Sequence, residues 1–168
     1  MAGSRTTVLQ FTYKDRPWAR RVDEICWSWE RTPYKLNACK KKAGVDCIHF
    51  VAAVLDELYG VEHSKNLKSL PPDACVHNKE GVLAAGRALF EAYPHQRVED
   101  NSIEAGDLVL LGPPSTKTTS HLLIASTHGR LWQSTKTPLG VLVSGYGINE
   151  DQMLVAVYRA TDKEKWLR

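Results

Sequence analysis

The segment Gly44-Val45-Asp46-Cys47-Ile48-His49-Phe50 constrains this chain more than any other. A glycine turn and an acidic residue lead into a run whose apolar positions Phe50, Val51, Val54, Leu55 and Leu58 follow the period of a helix with one buried face. Asp46 suits the N-cap and Gly60 the C-terminal stop, so the spacing predicts a helix from about Cys47 to Tyr59. Such a stripe needs a broad apolar partner, most simply a sheet. Cys47 then opens a rigid helix, where unpaired N–H groups and the helix dipole pull a thiol from a pKa of about 8.5 toward about 3.5–7.5. A thiolate attacks carbonyl carbon, and the pattern therefore points to a cysteine hydrolase. The competing reading is an ordinary buried helix cysteine.

With 168 residues the chain is long enough for one domain with a real core and short for two. Its net charge of +3 is too mild for the dense basic face of a nucleic-acid binder. The basic cluster Lys35, Lys40, Lys41 and Lys42 reads either as a solvated loop or as local positive potential that attracts an anionic substrate and favours thiolate. No apolar run approaches the roughly 18 residues of a membrane span. The N-terminus, Met1 to Thr7, lacks a hydrophobic signal core. The expectation is a soluble protein without membrane insertion, cytoplasmic where it is made, reaching a virion or the cell wall only after release. The cysteines Cys26, Cys39, Cys47 and Cys75 show no C-x-x-C spacing, and no histidine pair completes a zinc pattern. Neither a metal, a cofactor nor a secreted disulfide framework is expected.

Along the chain, Pro17 to Trp29 places Trp18, Val22, Ile25, Cys26 and Trp29 on one helical face, and Thr32-Pro33 ends that element. A polar loop over 34–44 precedes the cysteine helix. A third helix is predicted between Asn78 and Tyr93, closed by Pro94. After Asn101 the period turns extended: 107–111, 121–127, 130–135, 140–144 and 154–160 read as strands, with His128-Gly129 as a tight hairpin turn. Helices followed by strands imply an α+β domain with a mainly antiparallel sheet.

A nucleophilic cysteine needs a base, and imidazole titrates in the right range. His49 lies two positions along the same helix and points round the cylinder from the thiol. His63, His77, His95 and His128 fall in loops or turns, where a solvated histidine is the simpler reading. His121 opens the apolar strand His121-Leu122-Leu123-Ile124-Ala125, fixed by a sheet yet open to a cleft. Gln133, on the next strand of the hairpin, stands near the same end. Its amide oxygen would hold the far ring nitrogen of His121, or it is a plain strand-face residue.

The order Tyr34, Gly44-x-Asp46-Cys47-x-x-Phe50, Gly106-Asp107-Leu108-Val109, His121-Leu122-Leu123-Ile124, Trp132-Gln133 resembles the NlpC-type cell-wall cysteine peptidases. Its look is nearest to short phage-encoded members, which close on a strand like Val157-Tyr158-Arg159-Ala160. The resemblance covers about 32–160 and implies one NlpC-like domain over 1–168. The fold it implies is papain-like α+β, with N-terminal helices packed on a five- to six-stranded, mainly antiparallel sheet. It further implies Cys47 as nucleophile, His121 as base and Gln133 as the orienting residue. Tyr34 would serve the oxyanion site beside the Cys47 N–H. Asp46 and His49 would border the substrate.

This chain departs from the family in carrying Ile48-His49 where small residues, Ser-Gly, usually follow Asp-Cys, so His49 narrows or respecifies the cleft. The glycine pair expected after the tyrosine is replaced by Leu36-Asn37-Ala38-Cys39. The resemblance implies a hydrolase of amide bonds in peptidoglycan stem peptides, acting through a thioester. The alternatives are a phage tail or assembly component that uses the fold for binding, with phage tail proteins as partners, and an amidase or acyltransferase on another substrate.

Overall fold

Asp46 starts the central helix as its side chain accepts the His49 backbone N–H, and Gly60 stops it in the left-handed conformation at φ 68°. This helix, α2 (Cys47–Tyr59), belongs to a computed structural model that describes residues 9–12, 16–67, 89–112, 121–144 and 152–168. The sequence predicts one buried stripe, but every residue of α2 except Glu57 and Tyr59 is buried. The reason is that α2 is covered on two sides, by a sheet and by helix α1 (Pro17–Trp29). Phe50, Leu55 and Leu58 each contribute about 1.5–3 kcal/mol through removal from water. Helix α1 has Pro17 in its first turn and buries Ala19, Val22, Ile25, Cys26 and Trp29. The Trp29 indole N–H donates to the Glu57 carboxylate of α2 at 2.8 Å.

The expected polar loop over 34–44 contains a small antiparallel ribbon, β1 (Cys39–Lys40) and β2 (Gly44–Val45). Its two-residue strands are too short to leave an alternating signature in the sequence. The main sheet comprises β3 (His95–Arg97), β4 (Leu108–Gly112), β5 (His121–Ala125), β6 (Leu131–Ser134), β7 (Val141–Ser144) and β8 (Met153–Ala160). Their order is β3-β8-β4-β5-β6-β7, and all pairings are antiparallel. The α+β arrangement with a six-stranded antiparallel sheet is the one expected.

Three details differ. Strand β3 was not anticipated, because His95-Gln96-Arg97 is polar and pairs only at the sheet edge with β8. The β5–β6 connection is a short 3₁₀ turn, Thr127–Gly129, with His128 at φ 55°, rather than a two-residue hairpin. Of the third predicted helix, residues 89–92 are helical and end before Pro94; 78–88, with Asn78, lie outside the described residues. Outside them too are Met1 to Thr7, Cys75, His77 and the loop at 115–120.

Strand β4 is buried at every position, because both sheet faces are covered. Leu108 and Leu110 join Leu122, Ile124 and Trp132 in the core around α2. Val109 and Leu111 join Leu123, Ala125 and Leu131 in a second cluster closed by Leu9 and Ile103. Asp107, fully buried, accepts Arg159 Nε and Nη2 and Lys163 Nζ at 2.7–3.1 Å. Gly106, at φ +88°, lies against the Trp166 ring, which a Cβ would meet at 2.4 Å. Gly106, against Trp166, and Asp107, shared by Arg159 and Lys163, thus anchor the sheet to the C-terminal 3₁₀ turn, Lys163–Leu167.

Candidate active site

The start of α2 is organised by one carboxylate. Asp46, fully buried, accepts the His49 N–H at 2.8 Å and the Asn37 N–H at 2.8 Å. The His49 ring turns back along the helix, its Nδ1–H 2.9 and 2.8 Å from the two Asp46 oxygens. Cys47 stands between these two residues as the first residue of the helix, 1% exposed. His49 is 6% exposed.

His121 and Gln133 meet. The Gln133 amide oxygen accepts a hydrogen bond from His121 Nε2 at 2.6 Å. An amide oxygen only accepts, so Nε2 carries the hydrogen and Nδ1 keeps the lone pair. Burial pushes the His121 pKa below its ordinary value, against the raising effect of the Gln133 hydrogen bond. The ring is thereby held neutral, the form a base requires. The last β5–β6 rung joins Ile124 and Trp132, so both residues stand beyond it. In the strand alternation they fall with Leu123 and Leu131 rather than with the Leu122, Ile124 and Trp132 that face α2, so the pair can meet the start of α2 only round the strand ends, beyond that last rung.

The same end of β6 is fastened to the approach to α2. Ser134, next to Gln133, donates its hydroxyl to the Val45 carbonyl at 2.8 Å. Val45 also bridges Tyr34: its N–H donates to the Pro33 carbonyl at 2.9 Å, and its carbonyl accepts the Lys35 N–H at 3.1 Å. Tyr34 is half-buried beneath Lys136, whose Nζ lies 5.6 Å from the ring centroid. Residues 34, 45–47 and 133–136 therefore share one neighbourhood. Helix α2 lies against both β5 and β6.

The other sequence candidates separate from this region. Lys41 bonds Ser28 and Glu57, and Lys42 donates to the Glu30 carbonyl, so two of the four clustered lysines hold the ribbon to α1. His63 and His128 are exposed. His95, expected in a solvated loop, is a half-buried residue of β3 whose Nδ1–H donates to the Tyr93 carbonyl at 2.8 Å. Among the described residues, no three His, Cys, Asp or Glu side chains converge as metal ligands, and no helix is long and apolar enough to cross a membrane. Burial raises the pKa of Cys26, with Asp23 and Glu57 adding to it, and also that of Cys39, against the Ser64 hydrogen bond. Sequence reasoning missed Ser134 and Asn37 as parts of this neighbourhood. The Ser134 partner is a backbone carbonyl 89 residues away and the Asn37 N–H bonds a carboxylate nine residues on, contacts that leave no local pattern.

No family model matches this chain, and no curated protein matches it. Among solved structures, it is similar to the NlpC/p60 domain of peptidoglycan hydrolase SagA, at 20% identity and TM-score 0.48, over 76% of this chain and 88% of that one. It is also similar to a Staphylococcus aureus protein of the NLP/P60 family, described as similar to lipoprotein, at 19% identity and TM-score 0.51. That match covers 89% of this chain and 43% of the other, so the chain spans less than half of that protein's length. The likeness to the staphylococcal structure is one of fold, and with the sheet order above it gives this chain the papain-like α+β architecture of NlpC/p60 domains.

Proposed function

We propose that this chain is a cysteine peptidase or amidase that cleaves amide bonds in peptidoglycan stem peptides. The observation that carries the reading is the His121 Nε2–Gln133 hydrogen bond at 2.6 Å, beside a Ser134 hydroxyl that holds the backbone leading into Cys47. The NlpC/p60 fold supports the substrate class, and only by analogy of fold.

In the proposed reaction the Cys47 sulfur attacks the amide carbonyl carbon while Nδ1 of His121 takes the thiol proton. The oxyanion of the tetrahedral intermediate accepts from the Cys47 N–H and the Tyr34 hydroxyl. Collapse breaks the C–N bond, and His121 returns its proton to the leaving amine. Water then attacks the thioester with His121 as base, which releases the acid and restores the thiol. Gln133 holds one tautomer throughout, as the third member of a triad does. Asp46 and His49 border the thiol from the helix side.

The test is digestion of purified peptidoglycan by the full chain, with products read by mass spectrometry. Wild type should release fragments bearing a new amine and a new carboxyl group, and Cys47→Ala should release none. Equal release by Cys47→Ala would overturn the reading. Absence of products with both, together with stable capture of phage tail proteins, would instead favour a binding role.

A further inference from the structure

His49 and Asp46 form a closed pair on either side of Cys47. Asp46 is a fully buried carboxylate one residue before the sulfur, and among the described residues it accepts from the Asn37 N–H, the His49 N–H and the His49 ring. A negative charge so near a sulfur opposes its ionisation unless hydrogen bonds draw the charge elsewhere. The two backbone donors fix the carboxylate on the helix terminus and on the turn at Asn37. The ring is the third, and it contacts both oxygens. A buried carboxylate that loses a donor carries the full desolvation cost of the unmade bond and moves to find another. Any such movement shifts the first turn of α2, which holds the Cys47 sulfur and its N–H.

We propose that His49 is a positioning residue for the reaction, acting through Asp46: its ring fixes the carboxylate and withdraws its charge from the neighbouring thiol. The proposal rests on the reading of Cys47 as nucleophile and reaches beyond it, since it assigns to this chain a His–Asp pair that acts on the thiol without touching substrate. Titratable groups near this turn include Cys39, whose thiol lies 3.7 Å from the His49 carbonyl, and Tyr34 with Lys136 over its ring; Asp56 lies farther along α2, engaged by the His63 and Ser64 N–H groups and the Tyr93 hydroxyl.

The experiment measures the rate of Cys47 alkylation by iodoacetamide in the folded full chain at pH 7, with each cysteine resolved by peptide mass mapping. His49→Leu removes the ring donor and should slow Cys47 about tenfold. His49→Asn returns a donor near the Nδ1 position and should restore most of the rate. In an Asp46→Asn background, which keeps the helix cap but not the charge, His49→Leu should have no further effect. A merely structural His49 would lower the unfolding midpoint and leave the native-state rate unchanged. An unaltered rate in His49→Leu, or equal slowing in the Asp46→Asn background, overturns the proposal alone. Failure of wild-type Cys47 to react strikes the nucleophile reading beneath it.

Discussion

Because His121 donates Nε2–H to Gln133, its Nδ1 is the ring nitrogen left to accept a proton. Burial keeps that nitrogen unprotonated near neutrality. Gln133→Leu should free the ring to rotate and to change tautomer. We expect kcat to fall by about a hundredfold, the lower part of what a positioned base supplies, with KM little changed. Steady-state kinetics on a soluble stem-peptide substrate would show this; a rise in KM at constant kcat would make Gln133 a binding residue instead. At this scale the residue pairings were partly legible. A histidine at the mouth of an apolar strand and a glutamine near the same hairpin end could be matched from the chain alone. The ring of His49 turning back on Asp46 could not, since helix geometry places residues three apart side by side without saying which rotamer wins.

At the scale of elements, α2 was read to its ends because its signals are local: an aspartate cap, a left-handed glycine and an apolar period. The ribbon β1–β2 and strand β3 leave no sequence signal because they are short and defined by their partners rather than by their own residues. The Gly106-Asp107 segment resembles part of a family signature, and its physical role is anchorage. Arg159 holds Asp107 with Nε and Nη2 and also reaches Glu104 at 2.7 Å. Arg159→Met leaves that buried carboxylate to Lys163 and the Glu104 N–H. Urea unfolding should record a loss of about 3 kcal/mol, as for other broken buried pairs. A change under about 0.5 kcal/mol would mean Lys163 alone suffices.

For the whole molecule, one sheet carries two half-buried histidines, His121 at the start of β5 and His95 in the edge strand β3. Burial lowers both pKa values, against the Gln133 hydrogen bond for the first and the Tyr93 carbonyl for the second. Above an unfolded value of about 6.5 both rings are neutral in either state, and their contribution is fully present. As pH falls below that, the unfolded chain takes up protons that the folded chain resists, so stability is lost. The urea midpoint should therefore drop between pH 7 and pH 5, a range above most carboxylate titration. His95→Asn keeps a donor toward Tyr93 and removes one titration, and should reduce that drop; an identical drop would contradict the assignment. The α+β class was legible because helical and extended periods occupy separate halves of the chain. The packing that closes α2 on two sides was not, because it depends on which distant surfaces meet.

The proposed chemistry requires the Cys47 sulfur to come within reach of Nδ1 of His121. A short bis-electrophile, 1,3-dibromoacetone, spans only a few ångströms and joins a thiolate to a nearby imidazole. Treatment of the folded chain followed by proteolysis and mass spectrometry should give one crosslinked product joining the Cys47 and His121 peptides. A product in which Cys47 is joined to any other residue, or carries the reagent singly with His121 unmodified, would contradict it.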